Sequence, residues 1–182
     1  MNVANVRGLL IKYEGRVGYL YRCTGGKVTI GVGHACETPA DACKLPFVSE
    51  AGTPASSDQI NAAFSAVSSA TAGETASHYR ACSDLNLPET AIDELLDNDI
   101  VNFTAELRKR LPKFDSYPDS AQDALFDMAY NLGLGGLLKF HNLLAACDAG
   151  DWERAAQESA RNGIGVKRNP GTAELFRQAK PA

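Results

Sequence analysis

The apolar residues at the start of the chain recur with the period of a helix. Farther along, they alternate with polar residues, as in a strand. A helix is predicted to begin after Asn2, a suitable N-cap, and to end at Gly15. Its apolar stripe consists of Val3, Val6, Leu9, Leu10 and Tyr13. The apolar residues that follow alternate with polar ones and predict two short strands, residues 19–23 and 27–31.

A connection of three residues, 24–26, would fix the register of the hairpin that these strands form. Tyr21 would then lie opposite Thr29, and Cys23 opposite Lys27. Because side chains alternate between the two faces of a strand, Tyr21, Cys23 and Thr29 would share one face. The opposite face would pack against the core and carries Leu20, Val28 and Ile30.

Residues 88–111 predict a strong amphipathic helix. Its apolar stripe consists of Ile92, Leu95, Leu96, Ile100, Phe103, Leu107 and Leu111. Asp99 lies inside this stripe, and a carboxylate on a buried face requires a partner. His34, directly after the hairpin, is the candidate partner in a structural His⁺–Asp pair, which is favoured over a catalytic role for this histidine.

The secondary-structure pattern is weak in the segment before this helix and clear in the segment after it. Residues 35–87 are rich in Ala, Ser, Thr and Pro, contain one weak helical pattern at 57–69, and could form a flap, a loop or a lobe. The second half of the chain predicts helices over 119–132, 137–149, 151–162 and 172–179. Asp119, with Gln122 in a capping box, and Asp151 would cap two of them, and residues 169–171 would form a turn. Trp152 is expected in the core.

Composition excludes several classes of protein. The chain has 182 residues, 45% of them hydrophobic and 22% charged, which is typical of a soluble globular protein. A net charge of −4 argues against a nucleic-acid partner, and no segment is apolar enough for stable membrane insertion. Residues 1–20 lack the apolar core of a signal peptide, so we expect synthesis in the cytoplasm.

The five cysteines do not indicate a metal site, because no CxxC pair and no zinc-like spacing is present. We expect reduced thiols, although Cys36 and Cys43 could pair in an oxidising compartment. We expect neither a metal nor an organic cofactor.

Glu14, Cys23 and Thr29 have the layout of a small hydrolytic site. Glu14, at the end of the first helix, would be a proton donor, and the thiol and hydroxyl on the hairpin would hold a water molecule. A carboxyl group in that role needs a raised pKa, which a partly apolar environment supplies. Cys23 could be a thiolate base, a nucleophile, or a polar group that positions water.

These residues resemble the phage-type lysozymes, glycoside hydrolase family 24. The motif of that family is an acid, eight residues, Asp or Cys, five residues and Thr, which here are Glu14, Cys23 and Thr29. The family also has a run like Thr-Ile-Gly-x-Gly-His, which matches residues 29–34. The similarity resumes at residues 97–100, 123–133 and 150–156.

The resemblance implies an α+β, lysozyme-like, mostly helical fold within one catalytic domain, 1–182. A small lobe with a short antiparallel sheet, roughly 15–87, would contain the inserted segment 35–87. A larger helical lobe, roughly 88–182 with the helix 3–14, would be linked to it by the long helix.

The resemblance also implies a muramidase that hydrolyses the β-1,4 bond between N-acetylmuramic acid and N-acetylglucosamine in peptidoglycan. Glu14, Cys23 and Thr29 would be its catalytic residues, and Asn131 would touch the substrate sugar. Tyr130, beside Asn131, could stack on a sugar ring. The alternatives are a non-catalytic peptidoglycan-binding protein on the same fold and a lytic transglycosylase. We expect a monomer that acts on glycan strands in the periplasm, delivered by a holin if it is a phage endolysin, or by a secretion machine if it is a bacterial effector.

Overall fold

The computed structural model describes residues 1–164 and 166–179. The three strands are β1 (Val17–Arg22), β2 (Val28–Gly31) and β3 (His34–Cys36). The first four helices are α1 (Val3–Glu14), α2 (Pro39–Ala42), α3 (Ser57–Ser69) and α4 (Glu89–Arg110). The remaining helices are α5 (Asp119–Leu132), α6 (Leu134–Leu137), α7 (His141–Ala149), α8 (Trp152–Glu158) and α9 (Arg168–Arg177). Two 3₁₀ helices cover Ala76–Cys82 and Phe114–Ser116. The α+β class is therefore confirmed.

The chain forms two compact units. The sheet unit is Glu14–Asp99, and the helical unit contains Met1–Tyr13 and the chain from Ile100 onward. The boundary falls within α4, whereas the family resemblance implied one near residue 88. The first turns of α4 belong to the sheet unit and pack against the end of β2, where a Cβ added to Gly31 would be in ordinary van der Waals contact with Ile92 Cγ2, at 3.5 Å.

The hairpin has the predicted register next to its turn, and the pairing shifts between Tyr21 and Val17, which lies opposite Gly31. Tyr21 pairs with Thr29, and the Cys23 amide donates to the Lys27 carbonyl at 2.9 Å across the three-residue connection. The third strand, β3, was not predicted and pairs with β2 in the order β1-β2-β3. The turn between β2 and β3 is possible because Gly31 and Gly33 adopt φ values of 65° and 79°, which side-chain-bearing residues avoid.

Residues 35–87 form a packed part of the sheet unit. The weak pattern at Ser57–Ser69 is a helix with those bounds, and Ser56 begins it with a capping box to Gln59. The helix buries Ile60, Ala63, Phe64 and Val67. The segment after it contacts β1, since Arg22 donates to the Ala70 carbonyl at 2.7 Å. The inserted segment therefore extends the core of this unit.

Three predicted helix ends can be compared with the structure, namely the two ends of α1 and the start of α5. Asn2 accepts from the Asn5 amide at 3.1 Å as the predicted N-cap of α1, and Gly15 follows its last residue. The capping box at Asp119 is wrong, because Pro118 is the N-cap of α5 and makes no side-chain cap bond. Asp119 and Gln122 instead accept from the Met1 amine, Gln122 at 2.8 Å.

The C-terminal helices differ from the prediction in their bounds. The predicted helix 137–149 begins later, as α7 at His141, and the short helix α6 ends at Leu137 before it. The helix α8, capped by Asp151, ends at Glu158 rather than near residue 162. The predicted turn at 169–171 is wrong, since α9 begins at Arg168 and contains these residues. Pro170 fits there because the first amides of a helix have no intrahelical acceptor, so its missing N–H removes no bond.

Candidate active site

Glu14 lies where α1 ends and the sheet unit begins. Gly15 ends the helix with a φ of 76°, and β1 follows at Val17. Arg16 fixes this junction, donating to Glu89 Oε2 at 2.7 Å and to Asp93 Oδ1 at 2.8 Å at the start of α4. These bonds, with Asp93 contributing most, raise the pKa of Arg16. The half-buried Glu14 is therefore held beside the hairpin by its neighbours in the chain.

Tyr21 is half-buried, and it lies close enough to Glu14 and Cys23 to feel their charges. Burial raises the pKa of Tyr21 to about 12, and negative charge on Glu14 and Cys23 raises it further. The phenol therefore stays protonated at neutral pH, in the field of both residues. Tyr21 was not predicted as a site residue, although the predicted hairpin register placed it opposite Thr29 and on the face of Cys23, which was the available signal.

Thr29 is 3% exposed, and its hydroxyl donates to the Lys27 carbonyl at 3.1 Å. Because its single proton is used in that bond, Oγ1 can only accept from another group. A water molecule at Thr29 would donate a proton to it and keep a lone pair free for attack. The half-buried Cys23 is two residues from the hairpin turn at Gly25, where an added Cβ would lie 3.7 Å from its sulfur.

His34 and Asp99 contact each other, as the isolated carboxylate in the apolar stripe predicted. His34 Nδ1 lies 3.0 Å from Asp99 Oδ1 and 2.9 Å from Oδ2. Both side chains are partly buried and belong to the sheet unit. The pair joins the first residue of β3 to α4, which is consistent with a structural role.

We expect that His34→Asn and Asp99→Asn each lower the free energy of unfolding by about 1–3 kcal/mol, because each leaves a partly buried polar partner unsatisfied. Chemical denaturation of both variants measures this change. Hydrolysis, where it is observed for the wild type, should persist in both variants. Unchanged stability in both variants would refute the structural pair, and complete loss of hydrolysis in folded variants would favour a catalytic His34.

Tyr130 and Asn131 belong to the helical unit, near the end of α5. The Tyr130 ring packs with Phe103 and Phe126, at centroid distances of 5.0 and 6.1 Å. The side-chain amide oxygen Oδ1 of Asn131 accepts from Arg161 Nη1 at 3.3 Å. Both side chains contact other residues of the helical unit. Their role in sugar binding stays a prediction.

A buried ionic cluster next to Asn131 was missed by the sequence analysis. Asp127 Oδ2 accepts from Arg161 at 3.0 Å and from Thr172 Oγ1 at 2.9 Å, and Oδ1 accepts from Arg168 Nε at 3.0 Å. Burial lowers the pKa of Arg161, although the Asp127 charge opposes that shift. The available signal was Asp127, an acidic residue on the buried face of α5. A carboxylate on an apolar face needs a partner, as was argued for Asp99.

Within residues 1–164 and 166–179, no group of three or more His, Cys, Asp or Glu side chains is arranged to hold a metal ion. No helix in the same part of the chain is both long and apolar enough to cross a membrane. The five cysteines are free thiols, and burial raises the pKa of Cys36 and of Cys147 to about 12.

Two comparisons with known proteins bear on this site. The family model described as phage lysozyme matches residues 11–171, which include Glu14, Cys23 and Thr29. The pre-baseplate central spike protein Gp5 of Enterobacteria phage T4 is 30% identical over 82 residues. That stretch covers 43% of this chain and only 14% of the spike protein.

Proposed function

The chain belongs to the phage lysozyme family, and from that membership we propose that it is a muramidase. Its substrate would be peptidoglycan, cleaved at the β-1,4 bond between N-acetylmuramic acid and N-acetylglucosamine, with lysis of the cell wall as the outcome. The observation that carries the proposal is the hairpin register, which places Tyr21 opposite Thr29. Tyr21 also lies within the electrostatic influence of Glu14 and Cys23.

Glu14 is the general acid in the proposed reaction. Its proton passes to the glycosidic oxygen as the bond from that oxygen to the anomeric carbon breaks, and the developing positive charge lies on the sugar ring. Tyr21 remains a neutral phenol and adds no charge to the site.

Water attacks the opposite face of the sugar in the same proposal. It donates a hydrogen bond to Thr29 Oγ1, which can only accept one, and Cys23 is its second polar contact. After the attack, one proton of this water leaves to solvent, and Glu14 is reprotonated from solvent. Single displacement of this kind inverts the anomeric configuration, and NMR of the first products tests it, with retention as the contradicting result.

Substitutions at Cys23 separate the three roles that the thiol could have. If Cys23 positions water, Cys23→Ser keeps a polar contact and should retain hydrolysis within about tenfold, whereas Cys23→Ala should lose more. If the thiolate is a base or nucleophile, serine should be about as inactive as alanine, because its hydroxyl is far less acidic. We expect the first pattern, measured as initial rates of reducing-sugar release from purified sacculi.

Mass spectrometry of the fragments released from purified sacculi tests the function itself. We expect reducing muropeptides from the wild type and about 10³-fold less from Glu14→Gln. Anhydro-sugar products would identify a lytic transglycosylase instead. Binding to sacculi without any released fragment would identify a peptidoglycan-binding protein.

Delivery and assembly remain part of the proposal. The enzyme would act as a monomer on glycan strands and reach the periplasm through a holin or a secretion machine. Size-exclusion chromatography with light scattering tests the monomer, and expression with and without a holin tests the first route.

A further inference from the structure

The helical unit contains a pocket of about 470 Å³ that the proposed reaction does not use. It lies between the connection that follows α4 and the junction of α7 with α8. Its lining includes Lys113, Tyr117, Asp148, Gly150 and Trp152. All of these residues belong to the helical unit, whereas Glu14, Cys23 and Thr29 belong to the sheet unit.

Two aromatic rings form the apolar part of this pocket. Tyr117 and Trp152 meet edge to face, with centroids 5.9 Å apart and ring planes at 74°. Tyr117 is buried and Trp152 is half-buried, so the indole borders the pocket and is supported by the phenol. This arrangement gives a rigid apolar surface at little entropic cost.

Polar groups stand beside the rings. The Tyr117 hydroxyl donates to Asp148 Oδ1 at 2.5 Å, and Lys113 Nζ lies 3.7 Å from the same oxygen. The side chains of Lys113 and Asp148 are 60% and 52% exposed, so both can reach a ligand. The ammonium supplies donors, and the carboxylate supplies acceptors.

The charges in the pocket select the class of ligand. Lys113 and Asp148 neutralise each other, so the pocket does not favour a simple anion or cation. An aromatic surface beside one donor and one acceptor suits a neutral molecule that has an apolar face and several hydroxyl or amide groups. A pyranose ring has this character, and the volume is within the range of small-molecule sites.

We propose that the Tyr117–Trp152 pocket is a second, non-catalytic glycan site that binds an N-acetylated hexosamine. One face of the sugar packs on Trp152, a hydroxyl or amide donates to Asp148, and a carbonyl or hydroxyl accepts from Lys113. The choice of an N-acetylated sugar rests on the proposed function. Because a glycan strand is a polymer, a second contact holds the enzyme near its substrate by effective concentration.

Trp152 is the only tryptophan of the chain, so its fluorescence reports on this pocket. The Glu14→Gln protein, which prevents cleavage, is titrated with tri-N-acetylchitotriose. We expect a saturable change in Trp152 emission with millimolar affinity. Adding Asp148→Ala should weaken the affinity at least tenfold, and Lys113→Gln should weaken it by a smaller factor.

Asp115→Ala is the matched control, because Asp115 is an exposed acid in the same connection that pairs with Arg108 and does not line the pocket. It should leave the titration unchanged. Circular dichroism verifies that each variant is folded. An absent fluorescence response in the Glu14→Gln protein would overturn the proposal. So would an unchanged affinity when Asp148→Ala or Lys113→Gln is added and the protein is folded.

Hydrolysis of sacculi by the wild type is measured separately. Hydrolysis without a Trp152 response refutes the pocket and leaves the muramidase intact. A response that is lost in Asp148→Ala supports the pocket even if no fragment is released.

Discussion

Asp127→Asn is expected to lower the free energy of unfolding by about 3–5 kcal/mol, because it leaves two buried arginines without a counter-ion. The side chains of Arg161, Asp127 and Arg168 are 0%, 2% and 6% exposed. Asparagine has nearly the same shape as aspartate, so the change removes the charge and leaves the packing volume intact. The loss is therefore electrostatic and not a cavity effect.

Hydrogen bonding adds to this loss. Both carboxylate oxygens of Asp127 accept bonds from buried donors on α9 or just before it. An amide has only one acceptor oxygen, and its NH₂ group would face either the Arg161 side or the Arg168 side. A donor facing a donor in a buried position leaves both unsatisfied.

Chemical denaturation measures the effect, with a fall in thermal midpoint of roughly 10 °C as the second readout. Asp115→Asn is the matched control, because it removes the partner of Arg108 from an exposed pair and should cost less than about 0.5 kcal/mol. If Asp127→Asn lay within 1 kcal/mol of the wild type, the cluster would not be a major source of stability.

Glu14→Gln is expected to reduce hydrolysis of sacculi by about 10³-fold, because the amide fills the same space but cannot donate a proton to the leaving oxygen. Sugar binding should change little, so co-sedimentation with sacculi should persist. Initial rates of reducing-sugar release, compared at equal protein concentration, measure the loss.

Glu74→Gln is the control for this experiment, since Glu74 is an exposed glutamate of the sheet unit outside the motif. It should retain wild-type activity. Both variants should unfold within about 0.5 kcal/mol of the wild type, as is usual for substitutions outside the core. A folded Glu14→Gln protein with more than a tenth of wild-type activity would exclude Glu14 as the acid.

Several elements could be predicted because their determinants are close in sequence. The helices α3 and α4 follow from apolar periodicity and, for α3, a local capping box. The hairpin register follows from a three-residue connection, since a slip by one residue would turn every buried side chain outward. The need of Asp99 for a partner was also local, because it is a carboxylate in an apolar stripe, although the partner, His34, is 65 positions away in the chain.

Other features depend on residues that are distant in sequence. The Asp127 cluster joins α5 to Arg161, Arg168 and Thr172, between 34 and 45 positions later in the chain. The N-terminus of α5 binds the Met1 amine where a local capping box was expected.

The sequence by itself therefore determined α1, α3, α4 and the hairpin next to its turn. It also determined the Glu14, Cys23 and Thr29 spacing and the family. Only the tertiary structure decided that residues 35–87 belong to a core, that Tyr21 lies in the field of Glu14 and Cys23, and that the Trp152 indole borders a pocket. Period and turn chemistry act between neighbouring residues, whereas burial and charge pairing depend on which distant segments pack together.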